Sequence, residues 1–318
     1  MTHVGVIGAG AFGTALASVM RISGLDVTLW GRDSVQILAM QNNQMNKRYF
    51  DGISLPDGLN LTANLSDLND VDVMLMVLPA QRLRRFIAEN SFVTDVPVVL
   101  CAKGIEGETG LLQSQIFEGT QKAVLSGPGF ATEMMKRMPT AMLIACEDTK
   151  LGARLQKILS TQTLRLYLTK DVTGVQLGGA LKNVYAIACG IVVGAGLGEN
   201  ARAALMTRGF AELARLAESM GALTETLMGL SGFGDLALSC TSPQSRNFAF
   251  GEQLGRAGTF GAIKTVEGIA TAEAVLVLAQ KTNIEMPIAQ AVADVLNGRQ
   301  QVREALEMLM SRPLKQER

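Results

Sequence analysis

The chain has one histidine in 318 residues, His3, at its very start. A mechanism built on a histidine base or a multi-histidine metal site is therefore disfavoured, and no metal is expected. Proton transfer falls instead to Lys, Tyr, Asp, Glu or water. An excess of one charge is also missing: 29 Lys plus Arg face 29 Asp plus Glu. With no basic tail or stripe, nucleic-acid binding is not expected, whereas a small anionic substrate needs only local charge. The four cysteines, Cys101, Cys146, Cys189 and Cys240, lie far apart with no C-x-x-C spacing. That pattern fits reduced, buried thiols in a cytoplasmic protein, not a disulfide framework or a zinc site. The N-terminus lacks the basic region of a signal peptide. Repeats, low-complexity tracts and heptads are absent.

What is present divides near residue 169. Residues 1–169 alternate short apolar runs ("VGVI", "DVTLW", "VDVMLMVL", "VPVVLCA", "KAVLS", "TAMLIAC", "LRLYL") with amphipathic stretches such as "PAQRLRRFIAEN" and "DTKLGARLQKILS". Continuously apolar strands are covered on both faces, and strand–helix alternation means βαβ units and a mostly parallel sheet. The polar stretch "NNQMNKRYFDGISLPDG" predicts a long loop. Residues 170–318 read as helices over 172–197, 200–220, 247–257, 268–282 and 287–297, with Pro287 in a first turn and Gly298 just past an end. The tail "SRPLKQER" is expected to fray. The fold class is α/β: a Rossmann-type domain followed by an all-α domain.

"VGVIGAGAFGTALASVM" predicts a strand, a turn through Gly8, Gly10, Ala11, Phe12 and Gly13, and a helix. Gly8 permits the tight turn, Gly10 the approach of a pyrophosphate, and Gly13 close helix–strand packing. The helix N-terminus then offers free N–H groups to phosphate. The bland alternative is a glycine turn without a ligand. After the second strand come Arg32 and Asp33. An acid here suits the ribose diol of NAD and an arginine the 2′-phosphate of NADP; Arg32 stands first, which favours NADPH, while a solvated pair remains the alternative. Lys103 lies just past a strand, as do Gly127 and Gly129 of "SGPGFA", with Ala131 opening a helix. In "TSPQSRN", Ser245, Arg246 and Asn247 stand at a helix start, a seat for phosphate or plain capping. Glu267 is either a ligand contact or a first-turn carboxylate complementing the helix dipole.

One run is unusual. Between Asp171 and Glu199 the only charged side chain is Lys182, in "LGGALKNVYAIACGIVV". A lysine costs several kcal/mol to desolvate. The run is long enough to span a membrane, but Gln176, Lys182, Asn183 and many glycines point to a buried helix of a soluble domain, with no integral membrane segment. Helical side chains lean toward the N-terminus, so Lys182 is expected over Gly178 and Gly179, whose missing side chains leave open space for it and a ligand. Asp235, after a flexible Gly-Phe-Gly, is the chosen carboxylate partner. A lysine snorkelling to solvent is the alternative.

The motifs "GAGAFGTALA", "LWGR", "AKGIE", "SGPGFA", "QLGGALKNVYAI", "GFGDL", "TSPQSRN" and "VEGIATA", in this order, resemble bacterial NAD(P)-dependent glycerol-3-phosphate dehydrogenase over nearly the whole chain. The resemblance implies reversible reduction of dihydroxyacetone phosphate to sn-glycerol 3-phosphate, with NADP or NAD, feeding phospholipid synthesis. It implies that Lys182 is the general acid/base; Asp235, read above as the carboxylate beside it, is expected as the second catalytic group. Lys103, Gly127, Gly129, Lys182, Asp235, Ser245, Arg246 and Asn247 are then substrate contacts. Cofactor contacts are Ala11, Phe12, Arg32, Tyr49, Lys103, Ala131, Arg246 and Glu267, beside Gly8, Gly10 and Gly13. Two departures stand out: Phe12 replaces the usual Trp or Tyr, and Gly129 the usual Ser or Thr, losing a hydroxyl. The alternatives are another lysine-dependent reductase, of the 3-hydroxyacid or ketopantoate type, and a non-catalytic dinucleotide sensor. A homodimer is among the expectations.

Overall fold

The computed structural model describes residues 1–92, 94–258 and 266–311. Residues 312–318 of the tail expected to fray lie outside these. Eight strands make one sheet: β1 (His3–Ile7), β2 (Asp26–Trp30), β3 (Asn60–Thr62), β4 (Val73–Met76), β5 (Val98–Leu100), β6 (Lys122–Ser126), β7 (Thr140–Ala145) and β8 (Leu164–Thr169). Their spatial order is β3-β2-β1-β4-β5-β6-β7-β8. The first six are parallel, in the 3-2-1-4-5-6 order of a dinucleotide-binding sheet. Strand β7 runs antiparallel to β6, and β8 follows β7. Seven of the eight strands match the apolar runs. The exception is β3, whose three residues, one exposed and two half-buried, carry too little hydrophobic pattern to read.

The linking helices are α1 (Ala11–Ile22), α2 (Ser34–Asn43), α3 (Leu83–Glu89), α4 (Gln113–Ile116), α5 (Ala131–Met135) and α6 (Thr149–Leu159). Beyond β8 the regular elements among the described residues are helices: α7 (Val172–Gly194), α8 (Gly198–Ser219), α9 (Thr224–Met228), α10 (Asp235–Thr241), α11 (Arg246–Ala257), α12 (Glu267–Thr282), α13 (Pro287–Leu296) and α14 (Val302–Met310). The five expected helices are found within three residues of their expected ends. Helices α9, α10 and α14 were not expected; each has nine residues or fewer, too short for a clear 3.6-residue period. Pro287 opens α13, and Gly298 follows it at φ 67°.

Helix α7 is long and apolar enough to cross a membrane, but 89% of its most apolar window is buried inside the protein. Its glycines explain how. A Cβ at Gly190 would strike the Phe248 carbonyl and one at Gly194 the Glu252 carbonyl. Reciprocally, a Cβ at Gly251 would strike the Ile187 carbonyl and one at Gly255 the Ile191 carbonyl. Two glycine pairs at i, i+4 therefore let α7 and α11 meet backbone to backbone. The Asp171 carboxylate caps α7 at Gly174 N (2.7 Å) and also accepts from Leu223 N (2.8 Å), joining α7 to the start of α9.

One buried acid stands apart from the site described below. Glu212 of α8 is 2% exposed and accepts from Ile288 N (2.8 Å) and Ala289 N (3.3 Å), at the start of α13, while the Tyr185 hydroxyl lies 3.4 Å away. Burial pushes its carboxyl from an ordinary 4.5 up to about 7, against the pull of the two amides. A carboxyl raised in the fold holds its proton more tightly folded than unfolded. The stability it contributes is full below pH 4.5 and is lost as pH rises toward 7. The loss amounts to about 3 kcal/mol. Thermal melts from pH 5 to 8 should show a falling Tm that Glu212→Gln flattens; an equal slope in the variant would assign the effect elsewhere.

Candidate active site

The ligand-facing turns gather at the carboxyl ends of the parallel strands, where open α/β sheets bind ligands. Between β1 and α1, Gly8 has φ 120°, and a Cβ there would strike the Val77 carbonyl. A Cβ at Gly13 would strike the Gly8 carbonyl, whereas one at Gly10 would meet nothing within 4 Å. The turn is thus closed behind Gly8 and Gly13 and open at Gly10. Helix α1 begins at Ala11 with no side-chain cap, leaving its first N–H groups for an incoming anion. These features fit a dinucleotide pyrophosphate.

The long loop after α2 braces this turn, a role not read from sequence. Asn46, 1% exposed, donates to Ala9 O (3.2 Å) and Thr14 Oγ1 (2.9 Å). Gln36 Nε2 donates to the same Ala9 carbonyl at 3.0 Å. A lone Asn in a polar loop carries no sequence signal, because only the fold brings it to residue 9. Past β2, Arg32 is exposed, and Asp33 caps α2 by accepting from Gln36 N (3.1 Å). Tyr49 is 40% exposed, beneath the Arg48 guanidinium.

The centre is a carboxylate between two lysines. Lys182 Nζ donates to Asp235 Oδ1 (2.8 Å) and Ser239 Oγ (2.8 Å). Lys103 Nζ donates to Asp235 Oδ2 (2.7 Å) and to the Gly127 carbonyl (2.6 Å). Asp235 is 1% exposed and Lys182 9%. Burial pushes the Asp235 carboxyl up, but Lys103 and Lys182 outweigh it and hold the group below its ordinary value. Burial, aided by Lys182, lowers Lys103 despite the attraction of Asp235. The Lys103 ammonium also lies 5.8 Å from the centre of the Phe12 ring, which ties it to the phosphate turn. Each ammonium has three N–H bonds and uses two here, leaving one directed elsewhere.

Asp235 arrives through a π-type turn, Leu230–Gly234, closed by Gly234 N to Gly229 O at 3.0 Å. Such turns are frequent at functional sites. Ser239, four residues on and one helical turn away, faces the same lysine; its spacing from Asp235 was the overlooked signal. The expectation of open space over Gly178 and Gly179 fails. The Ser231 carbonyl lies 2.5 Å from a Cβ position at Gly178, and Ser126 Oγ fills the place beside Gly179. Those glycines admit neighbouring chain, and the lysine amine reaches past them to α10.

A run of amides joins the remaining pieces. Asn183 donates to the Lys103 carbonyl (3.0 Å) and accepts from Asn247 (2.8 Å), which accepts from Gly268 N (3.0 Å). Asn247, expected to hold phosphate, therefore has its side chain engaged between α7 and α12. Ser245 caps α11 through Phe248 N (3.3 Å), while Arg246 is exposed in the first turn of α11. Glu267 opens α12; burial raises its carboxyl against the pull of Arg246, Lys182 and Lys103. Gly127 (φ 143°) follows β6, and Ala131 starts α5. A Cβ at Gly129 would lie 3.3 Å from Thr140 Cγ2.

A profile described as NAD-dependent glycerol-3-phosphate dehydrogenase N-terminus matches residues 3–152, and its C-terminus counterpart matches 171–307. The chain belongs to this family. Glycerol-3-phosphate dehydrogenase [NAD(P)+] of Roseobacter denitrificans is 49% identical over 319 residues, covering 99% of both chains. The Paracoccus denitrificans protein of the same name is 48% identical over 320 residues, again with 99% of both covered. A crystal structure of glycerol-3-phosphate dehydrogenase from Coxiella burnetii superposes with a TM-score of 0.91 at 35% identity, covering 98% of this chain and 99% of that one. Membership sets aside the 3-hydroxyacid and ketopantoate readings and the non-catalytic sensor.

Proposed function

We propose that this member of the family catalyses reversible, NAD(P)-dependent interconversion of dihydroxyacetone phosphate and sn-glycerol 3-phosphate, in the cytoplasm and for glycerophospholipid synthesis. The observation that carries it is the pair of ammoniums on buried Asp235, Lys182 buried and Lys103 half-buried, the latter also against Phe12 of the phosphate turn. When bound, the nicotinamide supplies or takes the hydride. Lys182 holds the substrate C2 oxygen with its remaining N–H, delivers a proton as negative charge develops there, and takes it back in oxidation. Lys103 and the turn through Gly127 and Gly129 orient the substrate, while Asp235 keeps both amines aimed. The exposed Arg246 at the α11 N-terminus meets the substrate phosphate, beside the Ser245 cap and Asn247. Ala11, Phe12, Arg32, Tyr49, Ala131 and Glu267 line the cofactor's path from Gly8, Gly10 and Gly13. Residues 1–169 form the cofactor domain and 170–318 the substrate domain; a homodimer is the assembly we propose.

The test is steady-state oxidation of NADPH and of NADH with dihydroxyacetone phosphate beside unphosphorylated dihydroxyacetone. Turnover is expected with the phosphorylated ketone, and a much lower rate with the other. Equal rates on both would remove the phosphate seat from the reading.

A further inference from the structure

The end of β2 presents a conflict. Arg32 suits a 2′-phosphate, but its neighbour Asp33 would repel one. The structure supplies a third group that sequence order conceals. Arg48 lies in a tight turn of the long loop, fixed from inside the protein at both ends. Asn46, two residues earlier, is buried against the phosphate turn, and Phe50, two residues later, is 3% exposed. The Tyr49 and Phe50 amides both donate to the Asn46 carbonyl, at 3.0 and 2.9 Å. So held, the Arg48 guanidinium reaches back to Asp33 Oδ2 at 3.9 Å and to Gln36 Oε1 at 3.5 Å, and lies 5.8 Å from the Tyr49 ring centre. Arg32 is exposed on the same edge, with no hydrogen bond or ion pair among the described residues.

We propose that Arg48 is a second cation for the 2′-phosphate of NADP(H), beside Arg32, and that it exchanges Asp33 for that phosphate when NADP(H) binds. The inference rests on the dinucleotide reading above. Both members of the pair are mostly in water, with side chains 63% and 52% exposed, and such pairs contribute little. Arg48 therefore leaves Asp33 at small cost. A phosphate monoester carries close to two negative charges and offers a guanidinium two parallel acceptors, a stronger match than one carboxylate oxygen at the edge of ion-pair range. Two arginines then neutralise the phosphate and offset the repulsion from Asp33. With NAD(H) no phosphate draws Arg48 away. Asp33 still has lone pairs left to accept from the ribose hydroxyls, since one oxygen serves the Gln36 amide and the other faces Arg48. Asp33 and Arg48 together thus make one edge serve both cofactors.

Calorimetry with adenosine fragments tests this without turnover. The probes are 2′,5′-ADP, which carries the extra phosphate, and 5′-ADP, which does not. Arg48→Ala is expected to weaken 2′,5′-ADP by about tenfold, the worth of one charged hydrogen-bonded contact, and to leave 5′-ADP within about twofold. Asp33→Asn should do the reverse, tightening 2′,5′-ADP and weakening 5′-ADP. Equal losses on both fragments in Arg48→Ala, or none, would overturn the proposal. Arg32→Ala separates the two levels of inference. If it weakens 2′,5′-ADP selectively while Arg48→Ala does nothing, only the role of Arg48 falls. If neither fragment binds the unaltered protein, the dinucleotide reading falls with it.

Discussion

Replacing Lys182 by alanine should lower turnover by a factor on the order of a hundred or more, the usual scale for loss of a positioned proton donor, while NAD(P)H still binds. The two readouts separate because the amine and the phosphate turn lie on different elements. The dinucleotide cradle is made by backbone at Gly8 to Gly13, and Lys182 takes no part in it. The amine is instead fixed by Asp235 and Ser239 at 2.8 Å each. Its two bonds aim the third N–H, so the donor is oriented before substrate arrives and little reorganisation is needed in the transition state. The alanine variant should also fold. It removes one of two cations from Asp235, and Lys103 at 2.7 Å still pairs the carboxylate. Lys182→Arg is the sharper companion: charge is retained, but a guanidinium is a poor proton donor near neutral pH, so turnover should stay low. Near-normal turnover in either folded variant would take Lys182 out of the chemistry.

The parts of this site differ in how openly the sequence shows them. The phosphate turn reads directly because its function is local: three glycines at fixed spacing, each with its own steric reason, between a strand and a helix. Lys182 reads because a solitary charge in an apolar helix is costly to bury and so points to a purpose. Its surroundings do not read. Gly178 and Gly179 invite an interpretation as empty space, yet Ser231 and Ser126 fill it. The same holds for the Gly190–Gly194 and Gly251–Gly255 pairs, whose meaning appears only when α7 and α11 are laid together. Asn46 and Arg48 carry no sequence signal at all, and Ser239 only its one-turn spacing from Asp235. Asn46 and Arg48 act across 37 and 15 residues of chain, on Ala9 and Asp33. Short α9, α10 and α14 and three-residue β3 fall below the length at which period can be counted.

Asp235 should be the least replaceable side chain of the site. It is 1% exposed and pairs buried Lys182 and half-buried Lys103 through separate oxygens. Removing it leaves the two ammoniums facing each other with their hydrogen-bonded carboxylate gone and only the more distant Glu267 as counter-charge. Breaking a buried pair by deleting one partner costs about 3–5 kcal/mol. At this chain length that is a fall in Tm on the order of 5–10 °C. Asp235→Ala is thus expected to lose stability and activity together, and alone would say little about mechanism. Asp235→Asn distinguishes the two: it keeps the shape and one acceptor oxygen but not the charge. Its stability should fall less than that of the alanine variant, because one ammonium retains a hydrogen bond. Turnover should still fall about a hundredfold, since the other amine loses its aim. The pH response adds an independent check. A carboxyl held below its ordinary value in the fold contributes stability above that value and loses it as pH falls through the depressed one. Wild-type protein should therefore melt earlier on acidification below about pH 4, and Asp235→Asn should lack that component. An asparagine variant with wild-type turnover, or with the same acid-side loss of Tm, would show that the two lysines do not depend on this carboxylate.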